Sequence, residues 1–285
     1  MSIALVQSKI GGFATGDTSV TTNSVGYAST TTAGNVLVCV CWATANNAIP
    51  TIATPVTSGF TWALQTNGSA TFSDSGTPTY GRVSVYAIVN AGAMSATTAF
   101  TASKVGSTLL EAEFALYEFS GVQTTTPLET SAVTSGGTSS APSTASLVTS
   151  NTDLIFVSCI TENTSETIGS GYTLGVGSTL FGVSQYKLNA SSGTIATAFG
   201  ASTSFWGCVA HAFKSGASNG TATPAGVGMT SAQNAPTTSG SAVVIPAGVS
   251  MTSGVSAPLG TVSVTASVAG VVMTAGVGQA AGQST

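Results

Sequence analysis

This sequence predicts an all-β chain, and three observations carry the prediction. Apolar and β-branched residues recur with a period of two in short runs bounded by Gly, Ser, Asn and Pro. No segment keeps a 3.6-residue period over three turns. Gly, Ala, Ser, Thr and Val dominate the composition. A period of two sends alternate side chains to opposite faces of a strand, whereas a helix needs apolar residues three and four apart.

The expected strands follow in chain order. Asn35–Thr44 is apolar on both parities and reads as a central strand covered on both faces. Phe60–Gln65, Arg82–Val89, Thr97–Ala102 and Leu109–Phe119 complete a first set. Asp153–Thr161 is again apolar on both parities, and Tyr172–Val176, Val183–Leu188, Ile195–Phe199 and Phe205–Phe213 follow it. The two sets resemble each other: NVLVCVCWAT matches TDLIFVSCIT, SVYAIVNAGAMSATTAFTAS matches SQYKLNASSGTIATAFGAS, and EFALYEFSG matches CVAHAFKSG. Leu37, Val40 and Thr44 then fall on Leu154, Val157 and Thr161. Tandem β-sandwiches, or one jelly-roll-like sandwich with pseudo-symmetric duplicated halves, would satisfy this pattern equally. Expected boundaries are 1–121 for the first half or domain, 122–216 for the second, and 217–285 for a repetitive β-rich tail. Residues 121–146, rich in hydroxyls, read as an extended connector.

After Lys214 no charged residue occurs, and after Phe213 no aromatic one. PAGVGMT begins at Pro224, PAGVSMT at Pro246 and VAGVVMT at Val268, a period of 22 that keeps Met229, Met251 and Met273 in register. Such a unit is short for independent folding, so its stability must come from stacking or from other chains. Met229, Met251 and Met273 along one axis, with Gly226, Gly248 and Gly270 allowing close approach, are the expected assembly interface.

Only 5% of the 285 residues are charged, against about a quarter in an ordinary soluble domain. The hydrophobic share is 42%, the opposite of the balance that accompanies disorder. A surface with so little charge relies on hydroxyls, amides or burial against other copies, which predicts assembly. The net charge of −4 offers no basic patch, so neither nucleic acid nor an anionic membrane is expected as a partner. MSIALVQSKIGG lacks a signal-peptide pattern, and the longest apolar run, Val36–Ala43, is far below the roughly 18 residues of a membrane span.

Few residues could carry catalysis. His211 is the only histidine and shares parity with Phe205, Val209 and Phe213, so it is expected to be packed and hydrogen-bonded. Glu111 and Glu113 are expected on a solvated strand face, and Glu118 as a buried carboxylate held by backbone amides. GASNG, 216–220, matches G-x-S-x-G but lacks the strand-to-helix turn that a nucleophile elbow needs. GSGYTLGVG, 169–177, lacks the lysine of a phosphate loop and reads as hairpin turns. Cys39, Cys41, Cys159 and Cys208 sit in apolar strand patterns without metal-ligand spacing and are expected to be buried free thiols. No catalytic residue, metal or cofactor is expected.

TTAGNVLVCVCW, GFTWAL, RVSVYAIVNAG, ALYEFSGVQTTTPLE and the second NTDLIFVSC resemble a β-sandwich module of bacterial and bacteriophage surface proteins, over residues 20–216. The tail, 221–285, resembles the low-charge "GV-x-MT…GTVSVT" repeats of phage structural proteins such as capsid decoration proteins and fibres. The resemblance implies a non-enzymatic virion subunit made in the host cytoplasm. It would assemble with copies of itself, as a trimer by analogy with fibres, and with a major capsid or tail protein. The alternative is a cell-surface adhesin or carbohydrate-binding module, for which Trp62 beside the GF turn is the candidate ligand platform while Trp42 and Trp206 fall in core-like strands.

Overall fold

Two antiparallel five-stranded sheets lie face to face. The computed structural model describes residues 2–15, 26–46, 48–77, 79–95, 104–105, 109–162, 166–176, 181–216, 242–243 and 264–265, and no helix occurs among them. The first sheet is built from β1 (Ala4–Thr15), β2 (Val36–Asn46), β3 (Ala63–Asp74), β4 (Thr79–Ile88) and β5 (Leu109–Ser120). The second is built from β6 (Leu128–Ser139), β7 (Asp153–Thr161), β8 (Thr173–Leu174), β9 (Gly182–Ala190) and β10 (Ser204–Lys214). Their spatial orders are β1-β5-β2-β4-β3 and β6-β10-β7-β9-β8.

The inner faces bury one shared core. Val36, Val38, Val40 and Trp42 of β2 join Leu154, Phe156 and Ile160 of β7 in it. Tyr117 meets Phe156 edge-on at 5.1 Å between ring centres, and Phe119 meets Tyr186 in the same way at 5.7 Å, geometries that suit the ring quadrupoles. Both 1–121 and 122–216 therefore contribute to one compact unit, Met1–Ser218.

The outer faces are apolar as well, which explains why β2 and β7 are hydrophobic on both parities. Leu37, Cys39 and Cys41 pack under Tyr27, Trp62 and Met94, which come from segments outside the sheet. Ile155, Val157 and Cys159 pack under Leu147, Ile195 and Phe199; the first two belong to a short ribbon of Leu147–Thr149 paired with Gly193–Ile195. The chain's own segments thus cover both outer faces. The sandwich edges are tied by asparagines in the left-handed region, Asn67 at φ 54° and Asn189 at φ 52°, a conformation this residue tolerates better than most. Asn189 accepts from the Ile3 amide at 2.8 Å and donates to the Ile3 carbonyl at 3.0 Å, while Asn67 donates to the Ser131 carbonyl at 3.2 Å.

Several sequence expectations need correction. β6 lies inside the stretch read as a connector, and β1 was not expected at all; both are edge strands whose described positions are exposed or half-buried, β6 rich in hydroxyls and β1 mixing apolar residues with Gln7, Ser8 and Lys9, and an edge strand needs no continuous apolar face. Phe60–Gln65 divides into a two-residue strand, Phe60–Thr61, and the start of β3, which runs on to Asp74. Ile195–Phe199 keeps strand pairing only at its first residue. Thr97–Ala102 lies outside the described residues.

Asn219–Thr285 forms a second compact unit. In it Ala242–Val243 pairs in parallel with Val264–Thr265, Ala242 opposite Val264 and Val243 opposite Thr265. The paired residues are 22 apart, the period of the sequence repeat.

Candidate functional site

The interior of the two-sheet unit contains hydroxyl, indole and imidazole groups, several of which bond one another across the core. Trp42 Nε1 donates to Ser158 Oγ at 3.0 Å across the core, and Ser158 donates onward to the Val183 carbonyl at 3.1 Å. Tyr117 hydroxyl and Ser184 hydroxyl bond each other, and the Val176 amide donates to Tyr117 at 2.9 Å. Burial pushes the Tyr117 phenol up to about 12, against the opposing pull of these bonds. It stays a neutral hydroxyl at any physiological pH.

His211 lies on β10 facing the shared core and is wholly buried. Its ring stacks on Phe213 at 6.1 Å between centres. Nε2 is 3.1 Å from the Thr66 carbonyl of the facing sheet. A carbonyl only accepts, so Nε2 carries the proton and Nδ1 is bare; Nδ1 meets no hydrogen-bond partner among the described residues. Burial lowers the imidazole to about 4, although the Thr66 bond opposes this. The imidazole is thus neutral and enclosed, packed on Phe213 and bonded to the facing sheet.

The glutamates divide differently from expectation. Glu118 is buried and accepts from the Thr32 amide, Asn35 Nδ2 and Gln7 Nε2, each at 2.6 Å, so one backbone and two side-chain amides hold it. Glu113 is not on a solvated face: it is 6% exposed and shares the parity of Ala115, Tyr117 and Phe119, which belong to the shared core. The side chain of Glu111 lies outside the described residues. Among the described residues no group of three or more His, Cys, Asp or Glu could hold a metal ion.

Trp62 is not a ligand platform. It is 3% exposed, its Nε1 donates to Thr57 Oγ1 at 3.0 Å, and its ring seals the outer face of the first sheet. Trp42 and Trp206 are also buried, the latter donating to Ser139 Oγ at 3.3 Å. A sugar-stacking surface needs an exposed ring, and no tryptophan offers one. In 169–177, Tyr172 donates its amide to the Gly169 carbonyl at 3.2 Å and Gly171 has φ 76°, the backbone of a tight turn. Ser218 of GASNG lies outside the described residues, as do Gly226, Met229, Gly248, Met251, Gly270 and Met273.

No family model, curated protein or solved structure matches this chain.

One feature was missed in the sequence. At the end of the second sheet, Asp153 opens β7 fully buried, Glu129 stands beside it near the start of β6, and Lys214 is its ladder neighbour on β10. Asp153 opens an apolar strand, and nothing in its own segment marks its carboxyl as buried beside another acid.

Proposed function

We propose that this chain is a non-enzymatic structural subunit of a bacteriophage virion, a capsid decoration or fibre protein assembling through its C-terminal repeats. The observation that carries this reading is the parallel pairing of Ala242–Val243 with Val264–Thr265 at the 22-residue period of the repeats. Parallel pairing at the repeat distance sets equivalent positions of successive units side by side. The same register is available to a unit from another chain, because its sequence is nearly the same. A tail without charge meets no like-charge repulsion in such a stack.

The reading also draws support from the first unit. Its polar interior groups serve packing, its tryptophans are buried, and its surface is hydroxyl-rich with few charges. We further read the two sheets as duplicated copies of one ancestral unit. Their strand orders are equivalent, and the inner-face ladder pairs Val36–Phe119 and Leu154–Phe213 correspond, one residue away from the internal sequence match, which would set outer-face Leu37 on inner-face Leu154.

Sedimentation velocity on full-length protein and on Met251→Asp tests the assembly, and immuno-electron microscopy of purified particles with an antibody to residues 1–216 tests the location. The expected result is an oligomer that the substitution dissociates while the two-sheet unit stays folded, and labelled particles. Two monomers and unlabelled particles would overturn the reading.

A further inference from the structure

Two carboxyl groups come together at the end of the second sheet. Asp153 is fully buried between Lys214 of β10 and Ala190 of β9, its ladder partners. Among the described residues no N–H or O–H donates to either of its oxygens. Glu129 of β6 stands beside it, held by residues three and two positions before Asp153. Glu129 is well supplied with donors: the Ser150 amide at 2.6 Å, the Ser150 hydroxyl, and Asn151 Nδ2 at 2.9 Å.

A hydrogen bond between two carboxyl groups needs a proton on one of them, and their surroundings decide which. Three donors stabilise the charge on Glu129, whereas Asp153 is buried with none, so the proton resides on Asp153. A divalent cation is the poorer occupant, since it wants six or more oxygens and would lie near the Lys214 ammonium. We propose that Asp153 and Glu129 form a proton-operated clasp, in which the Asp153 carboxylic acid donates to Glu129 and so joins the start of β7 to the start of β6 and the turn at Ser150–Asn151.

The electrostatics agree. Burial, and then the Glu129 charge, push the Asp153 carboxyl up to about 7 against the pull of Lys214. For Glu129 burial acts upward, but the bonds from Ser150 and Asn151 outweigh it and bring the group to about 2. Glu129 and Lys214 are the charged groups facing Asp153; β9 contributes Ala190, and the 147–151 segment contributes hydroxyls and an amide. Around the clasp the chain makes the last bonds of β10: the Lys214 amide to the Pro127 carbonyl at 2.8 Å and the Ser215 amide to the Thr152 carbonyl at 2.9 Å. Both acceptors lie within two residues of the paired acids. Loss of the proton sets two negative charges against each other and loosens these bonds.

Hydrogen exchange on the full-length protein, corrected for intrinsic rates, tests the clasp through peptides covering 127–131, 148–153 and 212–216. Protection there should fall by about tenfold per pH unit at most between pH 5 and 7 and level off above pH 8. Asp153→Asn, whose amide donates to Glu129 without titrating, should remove this dependence. Glu129→Gln should move it to lower pH. Identical pH profiles in the wild type and Asp153→Asn would overturn the clasp. So would restoration of protection at pH 8 by millimolar calcium in the wild type but not in Asp153→Asn, which would make the pair a cation site.

Discussion

Trp42 Nε1 donates a 3.0 Å hydrogen bond to Ser158 Oγ, joining residues 116 positions apart from the central strands of opposite sheets. The indole also lies on the backbone of Gly182, where an added Cβ would stand 2.3 Å from the ring. Ser158→Ala leaves the buried N–H without its acceptor and should cost about 1–3 kcal/mol. Gly182→Ala forces the ring to move in a close-packed core and should cost about as much, 1–3 kcal/mol. Urea unfolding of each variant measures both, and a loss below 0.5 kcal/mol in either, roughly the level of an ordinary surface change, would show that the contact contributes little.

Two buried groups should act oppositely on stability in acid. His211 titrates near 4 when folded and near 6.5 when unfolded, so the unfolded chain takes up its proton first and stability is lost as pH falls from 6.5 to 4. Asp153 titrates near 7 when folded and near 3.8 when unfolded, so its contribution is full below 3.8 and is lost as pH rises to 7. The slopes largely cancel in the wild type. His211→Gln should melt at lower temperature as pH rises from 4 to 6.5, and Asp153→Asn at higher temperature, each by about 1–2 kcal/mol in stability across the window. Calorimetry at four pH values distinguishes these tilts from a common, flat profile.

Glu118 collects three amide donors from β1 and the 32–35 turn, so its removal takes the acceptor from the Thr32 amide and Asn35 Nδ2, while Gln7 Nε2 keeps the Ser29 carbonyl at 3.2 Å. Glu118→Ala should cost about 3–5 kcal/mol, and Glu118→Gln less, because its carbonyl oxygen can still accept. Chemical denaturation of the pair checks the ranking.

The four cysteines are free and buried. Thiol titration of denatured, unreduced protein should recover four per chain. Cys159 and Cys208 face each other across the β7–β10 ladder, whereas Cys39 and Cys41 are two apart on one strand. Recovery of two would indicate one bridge, which peptide mapping would assign to Cys159–Cys208 or to Cys39–Cys41, whose sulfurs lie 3.6 Å apart.

Met1–Ser218 holds its own shared core and both covered outer faces. A 1–218 fragment should melt cooperatively with a β-type circular dichroism spectrum. A disordered spectrum would mean that the remaining residues are needed for folding.

The sequence by itself determined the all-β class, the central strands and the parity of their side chains. Asp153–Thr161 matches β7 to the residue, and Glu118 and His211 were expected as buried groups. These follow from local chemistry, since alternation along a strand assigns each side chain to a face. Which segment covers that face is decided elsewhere in the chain. Tyr27 and Met94 enclose the sheet face where Trp62 packs, the second sheet buries Glu113, and β10 turns hydroxyl-rich Leu128–Ser139 into an edge strand. Nothing in the Asp153–Thr161 pattern marks Asp153 as buried beside Glu129 and Lys214, which come from two other strands. Only the tertiary structure brings such groups together, because burial and charge pairing depend on spatial neighbours that strand periodicity does not specify.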